Sequence, residues 1–308
     1  MPKVSVLMNC FNGAQFLKEA IDSVYAQTYL DWEIIFIDNC STDESQDIAN
    51  LYNSKIKVFK TDKNIPLGAA RNFGIEQCSG KYITFLDTDD IWLPNAIEKL
   101  LTLITSGDYA LAYAGHLNIN IDNTIIGKMI PGKRKGMIFG GLLKQFDIPI
   151  VASMISSQHL LESGLLFDNN IHASEEYCLF MQLAARYCFI SIDEIVTKYR
   201  IHDNTLSNKT ISRFANERRY TLDKIIKENP GIRRIYQKEF KEAYARASYY
   251  EARYFMSIKD TESAINSLSA YKYQSVVYFV LYILVRYFNG LWYRLQKIKY
   301  KRNVVKIN

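Results

Sequence analysis

The sequence has no C-x-x-C pair, no G-x-G-x-x-G after its first strand-like run, and no apolar run approaching the ~20 residues that a membrane-spanning helix needs. The five cysteines, Cys10, Cys40, Cys78, Cys178 and Cys188, are odd in number and widely scattered. That pattern excludes a disulfide framework and a zinc ribbon and suits a reducing compartment, the cytoplasm. The missing glycine fingerprint argues against a dinucleotide oxidoreductase. A signal peptide is not expected either, because Val4 to Leu7 passes to polar Asn9 and Asn12 too soon to form an apolar core. Internal repeats and long low-complexity segments are also lacking.

What is present is a chain of 308 residues that is 48% hydrophobic, enough for one large folded domain and an appendage. Its formal charge of +6 is uneven: residues 1–212 carry 18 Lys and Arg against 24 Asp and Glu, and residues 213–308 carry 20 against 8. We therefore expect a first domain over 1–212 and a basic, aromatic-rich helical region over 213–308. Basic pairs such as Arg218-Arg219 and Arg233-Arg234 suit an anionic surface or, equally, a solvated helical face. The tyrosines and aliphatics between them favour a membrane over nucleic acid.

The first hundred residues alternate short apolar runs with amphipathic stretches, which predicts an α/β domain with a largely parallel sheet. Expected strands are Val4 to Met8, Glu33 to Ile37, Ile56 to Lys60 and Lys81 to Leu86, with a helix around Phe16 to Tyr25. Ser41-Thr42-Asp43-Glu44 reads as a capping box, Gly80 as a helix C-cap and Pro94 as a helix start. Residues 105–170 are rich in glycine and predict irregular strands and a loop. Helices are expected from Arg213 to Lys227, Ile232 to Met256 and Ser275 to Ile298.

The strongest chemical signal is Phe85-Leu86-Asp87-Thr88-Asp89-Asp90, where a strand ends in three carboxylates. Open α/β sheets bind ligands at the carboxyl ends of strands, and like charges packed together favour a hard cation such as Mg²⁺ or Mn²⁺. An acidic helix N-terminus is the bland alternative. Asn9 to Asn12 and Asp38-Asn39 end two other strands with polar groups, which points to a nucleotide crevice. Phe11 is a candidate to stack on a base, and Arg71 to reach a base or diphosphate. Glu175-Glu176 open a helical pattern and offer a candidate general base, while His202 is a candidate third metal ligand or phosphate contact.

Taken in chain order, these motifs resemble the family 2 glycosyltransferases, which have the GT-A fold and usually invert the anomeric centre. The resemblance runs over residues 3–207. It begins with Val4-Ser5-Val6 through Phe11-Asn12, Ser23 to Tyr29, and Glu33 to Asn39 with Ser41-Thr42-Asp43. It continues through Ala70-Arg71-Asn72-Phe73-Gly74-Ile75, Gly80 to Asp90, Ser174-Glu175-Glu176-Tyr177 and Tyr199-Arg200-Ile201-His202. It implies that Phe11, Asn12, Asp38 and Asn39 line the base site and that Asp87 contacts the donor ribose or sugar. It also implies that Asp89, with Asp90 and Asp87, holds Mn²⁺ or Mg²⁺ on the diphosphate, and that Arg71, Arg200 and His202 add donor contacts. Glu176 stands where the family usually carries the Asp that acts as base, with Glu175 as its neighbour. Asn9 replaces the usual Pro, and Asn39-Cys40 the common Asp-Gly.

The expected activity is inverting transfer of a hexose or N-acetylhexosamine from a nucleotide diphosphate sugar, UDP favoured. The expected acceptor is a hydroxyl on a lipid-linked oligosaccharide, lipopolysaccharide or capsule precursor. The alternatives are a carbohydrate-binding or scaffold subunit that keeps the fold without catalysis, and an Asp-cluster phosphohydrolase or nucleotidyltransferase. A hydrolase of that kind normally places its D-x-D at the end of the first strand, where this chain has Asn9 to Asn12. The apolar run Val276 to Val285, followed by Arg286 and a tail with Lys297, Lys299, Lys301, Arg302 and Lys306, predicts peripheral contact with the inner face of a membrane. Its rival is burial of the same run against the catalytic domain or in a homo-oligomer.

Overall fold

The computed structural model describes residues 3–52, 54–202 and 210–295. Two compact units interleave along the chain. The first takes residues up to 138, 147–170 and 182–202; the second takes 139–146, 171–181 and 203 onward.

The first unit opens with β1 (Val4–Cys10), α1 (Ala14–Tyr25), β2 (Trp32–Asp38), α2 (Ser45–Asn50), β3 (Ile56–Lys60), α3 (Leu67–Gln77) and β4 (Tyr82–Phe85). The strand order β3-β2-β1-β4 is parallel throughout. All seven residues of β2 are buried, since helices cover both sheet faces and leave no polar alternation to read. Helix α1 buries Leu17, Ala20, Ile21 and Val24, an i, i+3, i+4, i+7 stripe, in the same core as Val4, Val6 and Met8 of β1.

The sheet then continues with strands of mixed direction. In chain order come β5 (Ile91–Trp92), α4 (Ala96–Ile104), β6 (Leu111–Ile119), β7 (Ile125–Met129) and β8 (Lys135–Gly136). After α5 (Phe139–Lys144), which belongs to the second unit, follow β9 (Ser153–Ser156), α6 (Ser157–Ser163), α7 (Glu175–Ala184) and β10 (Phe189–Arg200). Strand β9 lies antiparallel between β4 and β6, and β10 runs parallel to β6 with register shifts. Residues 105–170 are thus more regular than their glycines suggest, because β6 is a nine-residue strand flanked by β9 and β10.

Three local expectations are corrected. Ser41 and Glu44 form no capping box: α2 begins after Glu44 without a side-chain cap, and Ser41 Oγ accepts from the Asn12 N–H at 3.0 Å instead. Gly80 caps no helix, since α3 ends at Gln77. A Cβ at Gly80 would lie 2.6 Å from the Ser5 backbone nitrogen, so glycine is required there by close backbone approach. Pro94 precedes α4 by two residues, and its carbonyl accepts from the Thr28 N–H.

The second unit is helical: α8 (Phe214–Glu228), α9 (Ile232–Ile235), α10 (Gln237–Ser257), α11 (Thr261–Ser269) and α12 (Val276–Tyr287), then a helical turn over 289–295. The expected single helix from Ile232 to Met256 is broken at Tyr236, whose φ of −112° and ψ of 37° leave the helical region. The Tyr236 ring packs on Phe139 of α5, 5.2 Å between centroids. Helix α11 lies between the second and third expected helices, where no helix was expected. Arg219 of α8 makes a bidentate pair with Glu251 of α10, at 2.7 and 2.8 Å. The end of the third expected helix at Ile298 and the basic tail from Lys297 lie outside the described residues.

Candidate active site

Strand order reverses between β1 and β4: the chain builds β2 and β3 on one side of β1 and then returns to place β4 on the other. Ligands bind at such a switch point, outside the carboxyl ends of the strands. The carboxyl ends meet closely here, since a Cβ at Gly13 would come within 2.7 Å of Thr88 Oγ1.

The loops after β1 and β2 lock together on one wall. Asn12 Oδ1 accepts from the Thr42 N–H at 2.8 Å, Ser45 Oγ from the Gly13 N–H at 3.0 Å, and Asp43 Oδ2 from the Ala14 N–H at 3.0 Å. Asn12 and Cys40 adopt left-handed φ values of 54° and 63°. Asparagine tolerates that region, whereas at cysteine it stores strain of order 1 kcal/mol that this hydrogen-bonded frame must hold. Phe11 projects from the loop with 53% of its surface exposed. Asp38 is fully buried: Oδ1 accepts from the Ser41 N–H at 2.9 Å, and Lys60 Nζ stands 3.6 Å from Oδ2, which has no hydrogen bond. The Asn39 amide is committed to the protein, donating to the Ile65 carbonyl at 2.7 Å and accepting from the Ile65 N–H at 3.0 Å and Thr61 Oγ1 at 3.1 Å. An amide placed here by sequence as a base ligand instead fixes the 61–65 loop.

The opposite wall is the acidic turn after β4, closed by the Asp90 N–H donating to the Asp87 carbonyl at 3.1 Å. Arg71 Nη2 reaches Asp87 Oδ1 at 3.2 Å, with the guanidinium itself buried over the Phe167 ring. His202 Nε2 lies 3.0 Å from Asp89 Oδ2, and Asp90 Oδ1 accepts from the Arg200 N–H at 2.7 Å. Burial, and then the charge of Asp87, push the Asp89 carboxyl above its ordinary range, with His202 opposing. Burial pushes Asp90 well above its range, reinforced by Asp89 and Asp87, while Arg200 opposes. Desolvated carboxylates crowded at one turn, one of them with Oδ2 lacking a hydrogen bond, present the charge that a divalent cation neutralises. Among the described residues no group of three or more His, Cys, Asp or Glu is placed to hold a metal ion by itself. At this turn Asp89 and Asp90 offer carboxylate oxygens, and His202 a ring nitrogen beside Asp89.

Arg200, expected among the substrate contacts, is enclosed. Nε donates to the Asp89 carbonyl at 2.8 Å, Nη1 to Asn123 Oδ1 at 2.7 Å and Nη2 to Glu19 Oε2 at 2.7 Å, and the guanidinium stacks on Phe16 at 4.3 Å. Its fork ties the acidic turn to α1 and to the loop after β6. Glu19 and Asn123 carried no sequence signal, being ordinary polar residues of a helix face and a turn.

Glu175 and Glu176 occupy the first turn of α7, in the second unit. Glu175 is buried at 3% exposure, whereas Glu176 is partly exposed, so Glu176 is the carboxylate that solvent reaches.

Comparison with known proteins places this geometry. The family model described as glycosyl transferase family 2 matches residues 5–162. The Escherichia coli enzyme WfgD, named as a UDP-Glc:alpha-D-GlcNAc-diphosphoundecaprenol beta-1,3-glucosyltransferase, is 27% identical over 236 residues, 76% of this chain and 89% of WfgD. Among solved structures, Staphylococcus aureus TarS (residues 1–349, with UDP-GlcNAc) superposes with a TM-score of 0.68 at 16% identity, covering 98% of this chain and 90% of that one. The Pyrobaculum calidifontis mannosyltransferase PcManGT, solved with GDP-Man and Mn²⁺, gives 0.62 at 14% identity, covering 98% and 86%. These likenesses carry the GT-A fold. Two uncharacterized Rickettsia glycosyltransferases, 31 and 32% identical, are longer proteins of which the chain spans 34 and 33%. Since the matched stretch begins in β1, ends in α6 and takes in both strand ends of the switch point, the chain belongs to glycosyl transferase family 2.

Proposed function

We propose that the chain transfers a hexose or N-acetylhexosamine from a UDP sugar to a hydroxyl of a lipid-linked or surface-glycan precursor, inverting the anomeric carbon. The observation that carries this reading is the acidic turn at the β1/β4 switch, with Asp89 beside His202 and both Asp89 and Asp90 poised to receive positive charge. UDP is favoured because TarS was solved with UDP-GlcNAc and WfgD is named for UDP-Glc. The lipid-linked acceptor follows the diphosphoundecaprenol in the name of WfgD.

In this mechanism Phe11 covers one face of the base, and the buried Asp38 braces the wall beside it by accepting from the Ser41 N–H. Asp87, held by Arg71, orients the ribose and sugar. Asp89 and His202, with Asp90 behind them, would hold Mn²⁺ or Mg²⁺, which when bound neutralises charge building on the departing diphosphate. Glu176 takes the proton of the acceptor hydroxyl as its oxygen attacks the anomeric carbon from the face opposite the leaving group. The bond from that carbon to the diphosphate oxygen breaks, and UDP leaves. Such a base contributes roughly 10²- to 10⁴-fold.

The second unit serves attachment in this reading. Helix α12 turns Tyr278, Tyr282 and Val285 inward and leaves Val276, Val277 and Val280 exposed, with Lys272 and Arg286 alongside. An apolar helix face edged with cations suits a peripheral position on an anionic membrane. Among the described residues no helix is long and apolar enough to cross one.

The test is a screen of nucleotide sugars for release of nucleoside diphosphate with and without Mn²⁺. Metal-dependent UDP release supports the transferase. A protein that binds UDP sugars and releases nothing under any acceptor tried is the carbohydrate-binding or scaffold alternative.

A further inference from the structure

The Ser174-Glu175-Glu176-Tyr177 segment is gripped at two points by adjacent residues of α8. Glu217 is buried, and its carboxylate accepts three hydrogen bonds: from the His172 N–H at 3.0 Å, the Ala173 N–H at 2.9 Å and Ser174 Oγ at 3.3 Å. Its neighbour Arg218 lays its guanidinium over the Tyr177 ring at 4.2 Å, with the Tyr250 ring at 4.9 Å and Phe146 at 6.0 Å. All these residues belong to the second unit. The Ser174 carbonyl accepts from the Cys178 N–H, so Ser174 is the residue from which α7 springs. Glu217 therefore sets where that helix begins, and Arg218 sets its rotation by pinning the side chain next to Glu176.

Neither contact is what a basic surface would show. Arg218, with Arg219, reads in sequence as part of a charged outer face, yet Arg218 sits among three aromatic rings and Arg219 is paired with Glu251. A buried carboxylate is costly unless its oxygens are hydrogen-bonded, and here two backbone donors and a hydroxyl supply the bonds. Two adjacent residues holding the chain on both sides of the Glu175-Glu176 pair is an arrangement that fixes where those carboxylates stand.

We propose that Glu217 and Arg218 are positioning residues for Glu176, acting on turnover through the placement of that base. The inference rests on the assignment of Glu176 as general base, and its test separates the two. Glu217→Gln replaces one accepting oxygen by an amide nitrogen, and Arg218→Lys keeps the charge but loses the flat stacked face. Each variant is assayed for kcat, for donor KM and for UDP affinity, alone and combined with Glu176→Gln. The expected result is a kcat lowered at least tenfold by Glu217→Gln and several-fold by Arg218→Lys, with UDP affinity within twofold of the parent. Neither should lower kcat further once Glu176 is Gln, because residues that act through one group are non-additive. A Glu217→Gln protein that no longer binds UDP is judged by Arg218→Lys instead. Parental kcat in both variants while Glu176→Gln is impaired overturns the positioning role, as does an undiminished further loss in the Glu176→Gln background. Parental kcat in Glu176→Gln itself removes the base assignment, and the proposal with it.

Discussion

The backbone N–H of Arg200 donates to the Asp90 carboxylate at 2.7 Å while its side-chain Nε donates to the Asp89 carbonyl at 2.8 Å. One residue at the end of β10 thus holds both the carboxylate and the backbone of the acidic turn. Arg200→Lys should destabilise the protein by about 1–2 kcal/mol, because one ammonium cannot serve the Asp89 carbonyl, Asn123 and the 42%-exposed Glu19 together. Mn²⁺-dependent UDP binding should weaken at least tenfold. Urea unfolding and titration with UDP check the two effects; an unchanged unfolding midpoint would show that the fork is dispensable.

Asp89 is the carboxylate of the turn that both faces His202 and keeps 31% of its side chain exposed. Asp89→Asn should abolish metal-dependent turnover and lower metal-dependent UDP affinity, with the thermal midpoint within a few degrees of the parent. Full activity of this variant in chelator-treated buffer would refute its assignment to the metal.

His116 on β6 predicts a pH dependence of stability. Burial lowers its pKa to about 4 although Asn118 opposes the shift, and Nδ1 has no hydrogen-bond partner. The unfolded chain takes up this proton near pH 6.5, so the stabilisation is complete above that value and is lost as pH falls towards 4. The loss is on the order of 3 kcal/mol. His116→Asn, which cannot be protonated there, should flatten this part of the profile of urea midpoints against pH. Identical slopes for the two proteins between pH 6.5 and 4 would exclude the effect.

The exposed face of α12 predicts binding to anionic vesicles. Deleting the chain after Lys272 is a poor probe, because Tyr282, Val285 and Trp292 pack in one core with Ala252, Met256, Ala264 and Leu268. Val277→Asp with Val280→Asp changes only outward residues, which are 64 and 46% exposed. The double variant should stay folded and lose co-sedimentation with phosphatidylglycerol vesicles that the parent binds. Parent protein that ignores those vesicles removes the membrane reading, and a variant that loses a dimeric mass instead supports the homo-oligomer.

Much of the fold was legible because its signals are local. The runs of β1, β2, β3 and β4 and the stripe of α1 are written in consecutive residues, and their periods are set by backbone geometry. The break at Tyr236 was not, since an aromatic residue is compatible with a helix and only the packing of its ring on Phe139 marks where the chain turns. Nor was the function of Gly80, which looks like a helix terminator until Ser5 is seen against it.

The sequence by itself determined the family, the class of chemistry and the carboxylates available to perform it, because those depend on which side chains are present and in what order. Tertiary structure alone decided which of them remain open to a ligand. Asn39 and Arg200 carry the polar groups that a nucleotide sugar would use, yet Ile65 and Thr61 occupy one and Glu19, Asn123 and Asp89 the other. These partners lie from 22 to 181 residues away in sequence. A hydrogen-bonding group is satisfied by whatever the fold brings within 3 Å, and no local pattern records that distance.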